Sequence, residues 1–260
     1  MLDTMQWVLG ALSGGLVGFS LGLVGGGGSI LAVPLMVYLV GVSQPHVAIG
    51  TSALAVAANA ATGLLQHARV ANVRWKAGLL FAGAGILGAF GGSTAGKNFD
   101  GQGLLFLFAI LMIVVGALML RSRKDAGETG ADLTRANAPK VIGYGLGAGV
   151  VSGFFGIGGG FLIVPGLIAA TRMPMIAAVG TSLVAVTAFG LTTAANYAFS
   201  GLVNWELALV FIVGGVLGSF LGTLAARRLS GGGHLKTVFA GLIFVVAVYM
   251  LWQSASALGI

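Results

Sequence analysis

The feature that most constrains this chain is a succession of apolar segments broken by only one long polar stretch. They fall at roughly 7–24, 29–42, 47–65, 77–95 and 103–120, and again at 141–156, 161–171, 175–195, 207–226 and 237–253. Hydrophobic residues make up 57% of the chain and charged ones 7%, where soluble domains carry roughly a quarter charged. Such runs spell helices that cross a bilayer. The polar–apolar alternation of barrel strands is not visible. The expected fold class is all-α, a polytopic helical membrane protein. The opening MLDTMQW carries Asp3 and no Lys or Arg, unlike the basic start of a secretory signal, so the first segment is expected to be retained. With no cysteine, disulfides, thiolate metal sites and Cys nucleophiles drop out.

The segments repeat. At an offset of 131, Gly14, Gly18 and Gly22 fall on Gly145, Gly149 and Gly153. The same offset sets Gly25, Gly27 and Gly28 on Gly156, Gly158 and Gly159, and Pro34 on Pro165. At an offset of 130, GTS at 50–52 meets GTS at 180–182, Trp75 meets Trp205, and Gly85, Gly88 and Gly92 meet Gly215, Gly218 and Gly222. The expected organisation is a first transmembrane repeat over 1–120, a flexible cytoplasmic linker over 121–140, and a second repeat over 141–260. Five segments per repeat is an odd number, so the copies enter the membrane from opposite sides. On that parity all thirteen lysines and arginines except Lys97 share one face. The positive-inside rule then predicts a multi-pass inner-membrane protein with both termini outside. The net charge of +7 is explained by this placement as well as by an anionic partner.

Two stretches, GGGGSILAVP (25–34) and FGIGGGFLIVP (155–165), set glycines where a spanning helix is weakest. Irregular backbone survives in a membrane only where protein buries it or a cavity wets it. A helix that starts there presents free N–H groups and a partial positive charge, which suits an anion. Inverted repeats bring two such starts together near the midplane. Segments 29–42 and 161–171 are short for a roughly 30 Å core, so broken or re-entrant hairpins are expected.

The candidate substrate-binding residues are Gly25, Gly26, Gly27, Gly28, Ser29, Thr51, Ser52, Asn59, Gly158, Gly159, Gly160, Thr181, Ser182 and Asn196. The glycines spaced by four read first as close helix packing. Thr51-Ser52 and Thr181-Ser182 fit caps or back-bonded hydroxyls as well as donors to an oxyanion. Asn59 and Asn196 fit interhelical hydrogen bonds as well as ligand contacts. His46 and His67 read as interfacial, Trp75 and Trp205 as interface anchors. No Asp or Glu lies in the middle of a segment, so carboxylate-based ion coupling lacks its usual residues.

GGGGSILAVP…IGTS followed by GIGGGFLIVP…VGTS resembles the TauE/SafE family of sulfite exporters over about 7–253. The resemblance implies transport of small sulfur-containing anions, with function at Gly25–Ser29, Thr51-Ser52, Gly156–Gly160 and Thr181-Ser182. Ile157 in place of Gly26, and Gly160 in place of Ser29, imply an asymmetric site. The expected function is a secondary transporter for sulfite or an organosulfonate, working by alternating access with no cofactor or metal. Its partners would be the small anion, the bilayer and a second copy of the chain, with no nucleic acid. The alternatives are an anion channel and a non-transporting structural membrane protein. An enzyme would need a catalytic group within the membrane, and no Cys, HExxH motif, intramembrane Asp pair or convincing Ser–His arrangement supplies one.

Overall fold

A computed structural model describes residues 3–121, 132–229 and 234–258. Each of the expected segments is helical there: α1 (Thr4–Val24), a 3-10 stretch (Gly25–Leu31) leading through α2 (Ala32–Pro34) into a π-wound turn (Leu35–Leu39), α3 (Pro45–Arg69), α4 (Trp75–Lys97), α5 (Gly101–Arg121), α6 (Ala138–Phe155), α7 (Gly160–Thr171), α8 (Met175–Ala198), α9 (Trp205–Leu229) and α10 (His234–Leu258). Six of these helices are long and apolar enough to cross a membrane, and Gly28–Leu39, Gly160–Thr171 and Ile243–Ser256 form shorter apolar helices. Large apolar side chains such as Leu87, Phe220 and Val245 stand about 70% exposed, an outer surface suited to lipid rather than water. The expected linker is narrower than 121–140, because α5 keeps Arg121 and α6 takes Ala138–Lys140. Residues 122–131 of it lie outside the described residues. A turn over Asp132–Asn137 feeds α6, with the Thr134 N–H donating to Asn137 Oδ1 at 2.7 Å.

The helices pack across the midpoint of the chain. A Cβ on Gly14 or Gly18 of α1 would fall on the carbonyl oxygen of Phe211 or Gly215 in α9. One on Gly145 or Gly149 of α6 would do the same to Phe81 or Gly85 in α4. These contacts correspond pair by pair at the repeat offsets. Missing side chains bring the helix axes close, which strengthens dispersion where lipid gives no hydrophobic drive between helices. Gly153 against Ala89 and Gly222 against Phe19 extend both crossings. The spaced glycines at 14, 18, 145, 149 and 153 are thus packing residues. α3 and α8 meet in the centre, and α5 pairs with α10 at the flank.

The second segment and its counterpart are both irregular, in different ways. Pro34 has no N–H to give the preceding turn, and the chain after it widens. The Val40 N–H reaches Leu35 O at 2.9 Å and the Val42 N–H reaches Met36 O at 3.0 Å. In the other half α6 closes on Gly156 (φ +67), and Gly158 (φ +66) and Gly159 (φ +64) turn the chain into α7. Left-handed backbone costs an L-residue roughly 1–2 kcal/mol, so glycine is the residue for all three positions. Pro165 then sits inside a regular α7.

Candidate functional site

The two broken stretches lie against each other. The 25–31 winding packs on α7 and α8 as well as on α1. Gly158 lies between Val56 of α3 and Val186 of α8, which correspond across the repeat, with their Cγ1 atoms 2.9 and 3.2 Å from where its Cβ would stand. Gly28 faces the backbone of Ser20 and Leu21, Gly159 faces Ser152 of α6, and Gly156 faces Ile49. Ser29, Ile30, Ile157, Gly158, Gly159 and Gly160 are buried, and Ser29 is engaged by a neighbour.

The GTS motifs tie the halves together reciprocally. Thr51 Oγ1 accepts the Asn204 N–H at 3.0 Å, and Thr181 Oγ1 accepts the Arg74 N–H at 2.9 Å. Each threonine thereby satisfies the backbone entering a helix of the other half, just before Trp205 and Trp75. The serine hydroxyls donate to carbonyls of their own helices, Ser52 to Ile49 at 3.0 Å and Ser182 to Val179 at 2.7 Å. Gly50 lies against Tyr197 and Leu202, Gly180 against His67 and Asn72. The glycine allows the approach and the hydroxyls close the backbone groups that the approach would strand.

The two asparagines differ. Asn196 donates from Nδ2 to Ser93 Oγ at 2.6 Å and to Thr94 Oγ1 at 2.9 Å. Its Oδ1 and backbone carbonyl accept from Lys97 Nζ at 2.8 and 3.0 Å. The Lys97 ammonium also reaches Ser200 Oγ at 2.9 Å, so its acceptors here are all neutral. Asn59 is 2% exposed, yet neither Nδ2 nor Oδ1 has a hydrogen-bond partner. It presses on Gly215 of α9. Phe189, its counterpart at the 130 offset, presses on Gly85 in the same way. One half has kept a phenyl ring where the other holds an unanswered amide.

At one end of the bundle three connections converge on a cavity of about 380 Å³. Its lining includes Ser43, His46, Phe99, Asp100, Gln102 and Leu202. A neighbouring cavity of about 220 Å³ shares Ser43, Pro45 and Gln102 and adds Tyr38 and Gln253. The His46 ring stacks on Tyr197 with centroids 6.4 Å apart, and its Nε2 lies 3.2 and 3.1 Å from the carbonyls of Gly96 and Phe99. Asp100 caps α5 through the Gly103 N–H at 2.7 Å. Trp75 and Trp205 open α4 and α9 with 48% and 64% exposure, as interface anchors would. Among the described residues no group of His, Asp and Glu could hold a metal ion.

Ser152 and the contacts of Lys97 are not among the candidates named from the sequence. Ser152 is fully buried, its Oγ has no partner, and it faces Gly159. The signal was present, since at the 131 offset this hydroxyl falls on Leu21.

The family model for the sulfite exporter TauE/SafE matches residues 10–250. A probable membrane transporter protein of Xylella fastidiosa (strain Temecula1) is 54% identical over 248 residues, covering 95% of each chain. The probable membrane transporter protein YunE of Bacillus subtilis (strain 168) is 30% identical over 248 residues, covering 86% of this chain and 90% of its own. The probable membrane transporter protein MJ0441 of Methanocaldococcus jannaschii is 26% identical over 254 residues, with 91% and 93% covered. No solved structure matches.

Proposed function

The chain belongs to the TauE/SafE sulfite exporter family, and on that premise we propose that it is a secondary transporter carrying sulfite or an organosulfonate across the cytoplasmic membrane. The observation that carries this reading is the meeting of two glycine-broken stretches, one from each half: the 25–31 winding packs on α7 and α8, and Gly158 sits between Val56 of α3 and Val186 of α8. The helix start of the second stretch, at α7, offers amide donors and a positive dipole end to an oxyanion without a charged side chain, with the 3-10 winding of the first stretch packed on it. A cation would need carbonyl ends or carboxylates instead.

The repeats, 1–120 and 141–260, are inverted in this reading. The reciprocal pairs Thr51–Asn204 and Thr181–Arg74 support it, as do the two matching glycine crossings. Both termini then lie outside and residues 121–140 in the cytoplasm. The substrate pocket draws on Gly25–Ser29, Gly158–Gly160 and Asn59. Thr51, Ser52, Thr181, Ser182 and Asn196 line its frame. Alternating access shifts the α1–α9 and α4–α6 pairs about the central helices.

The test is flux into proteoliposomes of the purified protein. Saturable sulfite or taurine uptake with counterflow is expected. Unitary currents would point to a channel, and absence of flux for every sulfur oxyanion overturns the proposal.

A further inference from the structure

We propose that His46 is a proton-binding site at the mouth formed by the cavity of about 380 Å³, and that its protonation governs the entry of anions there. This goes beyond the anion-transport reading above, on which it rests, by adding a second ligand, the proton.

The ring is held in one tautomer. Nε2 lies 3.2 Å from Gly96 O and 3.1 Å from Phe99 O. Carbonyl oxygens only accept, so Nε2 carries the proton of the neutral ring and Nδ1 keeps its lone pair. A second proton can therefore arrive only at Nδ1. Its source is water, because the ring lines the cavity. Protonation leaves both bonds to the carbonyls in place, and the ring stays stacked on Tyr197. The site is thus preformed and needs no rearrangement to fill. Imidazole is the side chain that ordinarily changes charge between about pH 5 and 8.

The charges around the ring are few. Among the described residues that line the cavity, Asp100 is the only other charged one. Its Oδ2 accepts the Gly103 N–H at 2.7 Å, which fixes the carboxylate at the start of α5. The end of α4 brings Lys97, whose ammonium is engaged by Asn196 and Ser200 of α8. α8 also brings Tyr197, while the α5 start and the α8–α9 turn bring Gly101, Gln102 and Leu202, which do not titrate. The adjoining cavity adds no charged residue. The lining therefore carries one negative charge with a neutral ring and is balanced with a protonated one. An unbalanced carboxylate between low-dielectric walls repels anions, and the ring proton removes that barrier. At the 130 offset His46 falls on Ile176 and Asp100 on Ser230, so the pair occurs once per chain.

The chain has no cysteine, so Ser43→Cys places a single thiol on the lining. Its rates with an anionic and a neutral methanethiosulfonate are measured in detergent across about pH 5 to 8. Their ratio cancels the titration of the thiol and reads the potential of the mouth. On acidification the anionic-to-neutral ratio should rise about two- to fivefold, the effect of one unit charge roughly 4–8 Å away in water. His46→Gln can still donate to Gly96 and Phe99 but takes no proton, and should hold the ratio at its alkaline value. Asp100→Asn still caps α5 and should show at the alkaline end the ratio that the parent reaches in acid; it carries the comparison if the glutamine variant fails to fold. In proteoliposomes, sulfite uptake from the cavity side should be faster in acid, and His46→Gln should abolish that dependence. A ratio that ignores pH overturns the proton site while leaving anion transport standing, and so does a pH profile that survives His46→Gln in either assay. Absence of flux for every sulfur oxyanion, with the labelling profile intact, overturns the transport reading and leaves the proton site standing.

Discussion

Replacing Asn59 with leucine should make the protein more stable and stop transport. The amide is 2% exposed and both of its polar atoms lack partners. An unsatisfied buried polar group costs about 1–3 kcal/mol. Within a membrane the gain from satisfying such groups is smaller, averaging about 0.6 kcal/mol per interhelical bond, because the unfolded chain in lipid also finds partners. The net relief is therefore roughly 1 kcal/mol, which for a chain of this size is a rise in Tm of about 3 °C. Steric cost should be small, since the repeat already carries Phe189 against Gly85 at the equivalent place. Melting followed by tryptophan fluorescence in detergent reads the first effect and proteoliposome uptake the second. A Tm that drops by several degrees would mean that the amide holds the fold together. Wild-type uptake by the stabilised variant would mean that the amide takes no part in transport. Either result refutes the reasoning.

Thr51→Val and Thr181→Val should each destabilise by about 1–3 kcal/mol, because each strands one backbone N–H; melting of the double variant should show the sum, and strong non-additivity would deny that the contacts are independent. Gly149→Leu should abolish folded protein, since its Cβ would fall on Gly85 O; a monodisperse variant in size-exclusion chromatography would contradict the packing. The chain has no cysteine, so single cysteines report topology cleanly. Ser43→Cys and Gln102→Cys should react with an impermeant thiol reagent from outside the cell, and Ala71→Cys and Thr134→Cys only after lysis. Asp3 corresponds to Thr134 at the 131 offset, so labelling of Asp3→Cys and Thr134→Cys from the same side would end the inverted arrangement.

The segment pattern was legible because spanning helices must be long and apolar, and the repeat because Gly, Pro and Trp recur at fixed offsets. Helix ends were less so. α3 runs to Arg69, past the apolar run that ends near residue 65, because His67 and Arg69 suit a helix C-terminus. The roles of the GTS hydroxyls could not be read locally. Thr51 answers an amide 153 residues away and Thr181 one 107 residues away, and no periodicity carries that information. The two asparagines looked alike in sequence and differ only through what faces them. Asn196 meets Ser93 and Thr94, while Asn59 meets Gly215.

The departures from symmetry carry more functional weight than the symmetry itself. Residues that hold the halves together occur twice and match: the glycine crossings, the threonine caps, and Val56 with Val186. A change at one of them leaves its counterpart's contact intact but breaks its own, so each is constrained separately by packing. Residues with unanswered polar groups do not match. Asn59 stands for Phe189, and Ser152 stands for Leu21. The breaks diverge as well, with a 3-10 and π winding about Pro34 in one half and three left-handed glycines in the other. Packing alone would favour the apolar member of each pair, because the polar one leaves a buried group unsatisfied.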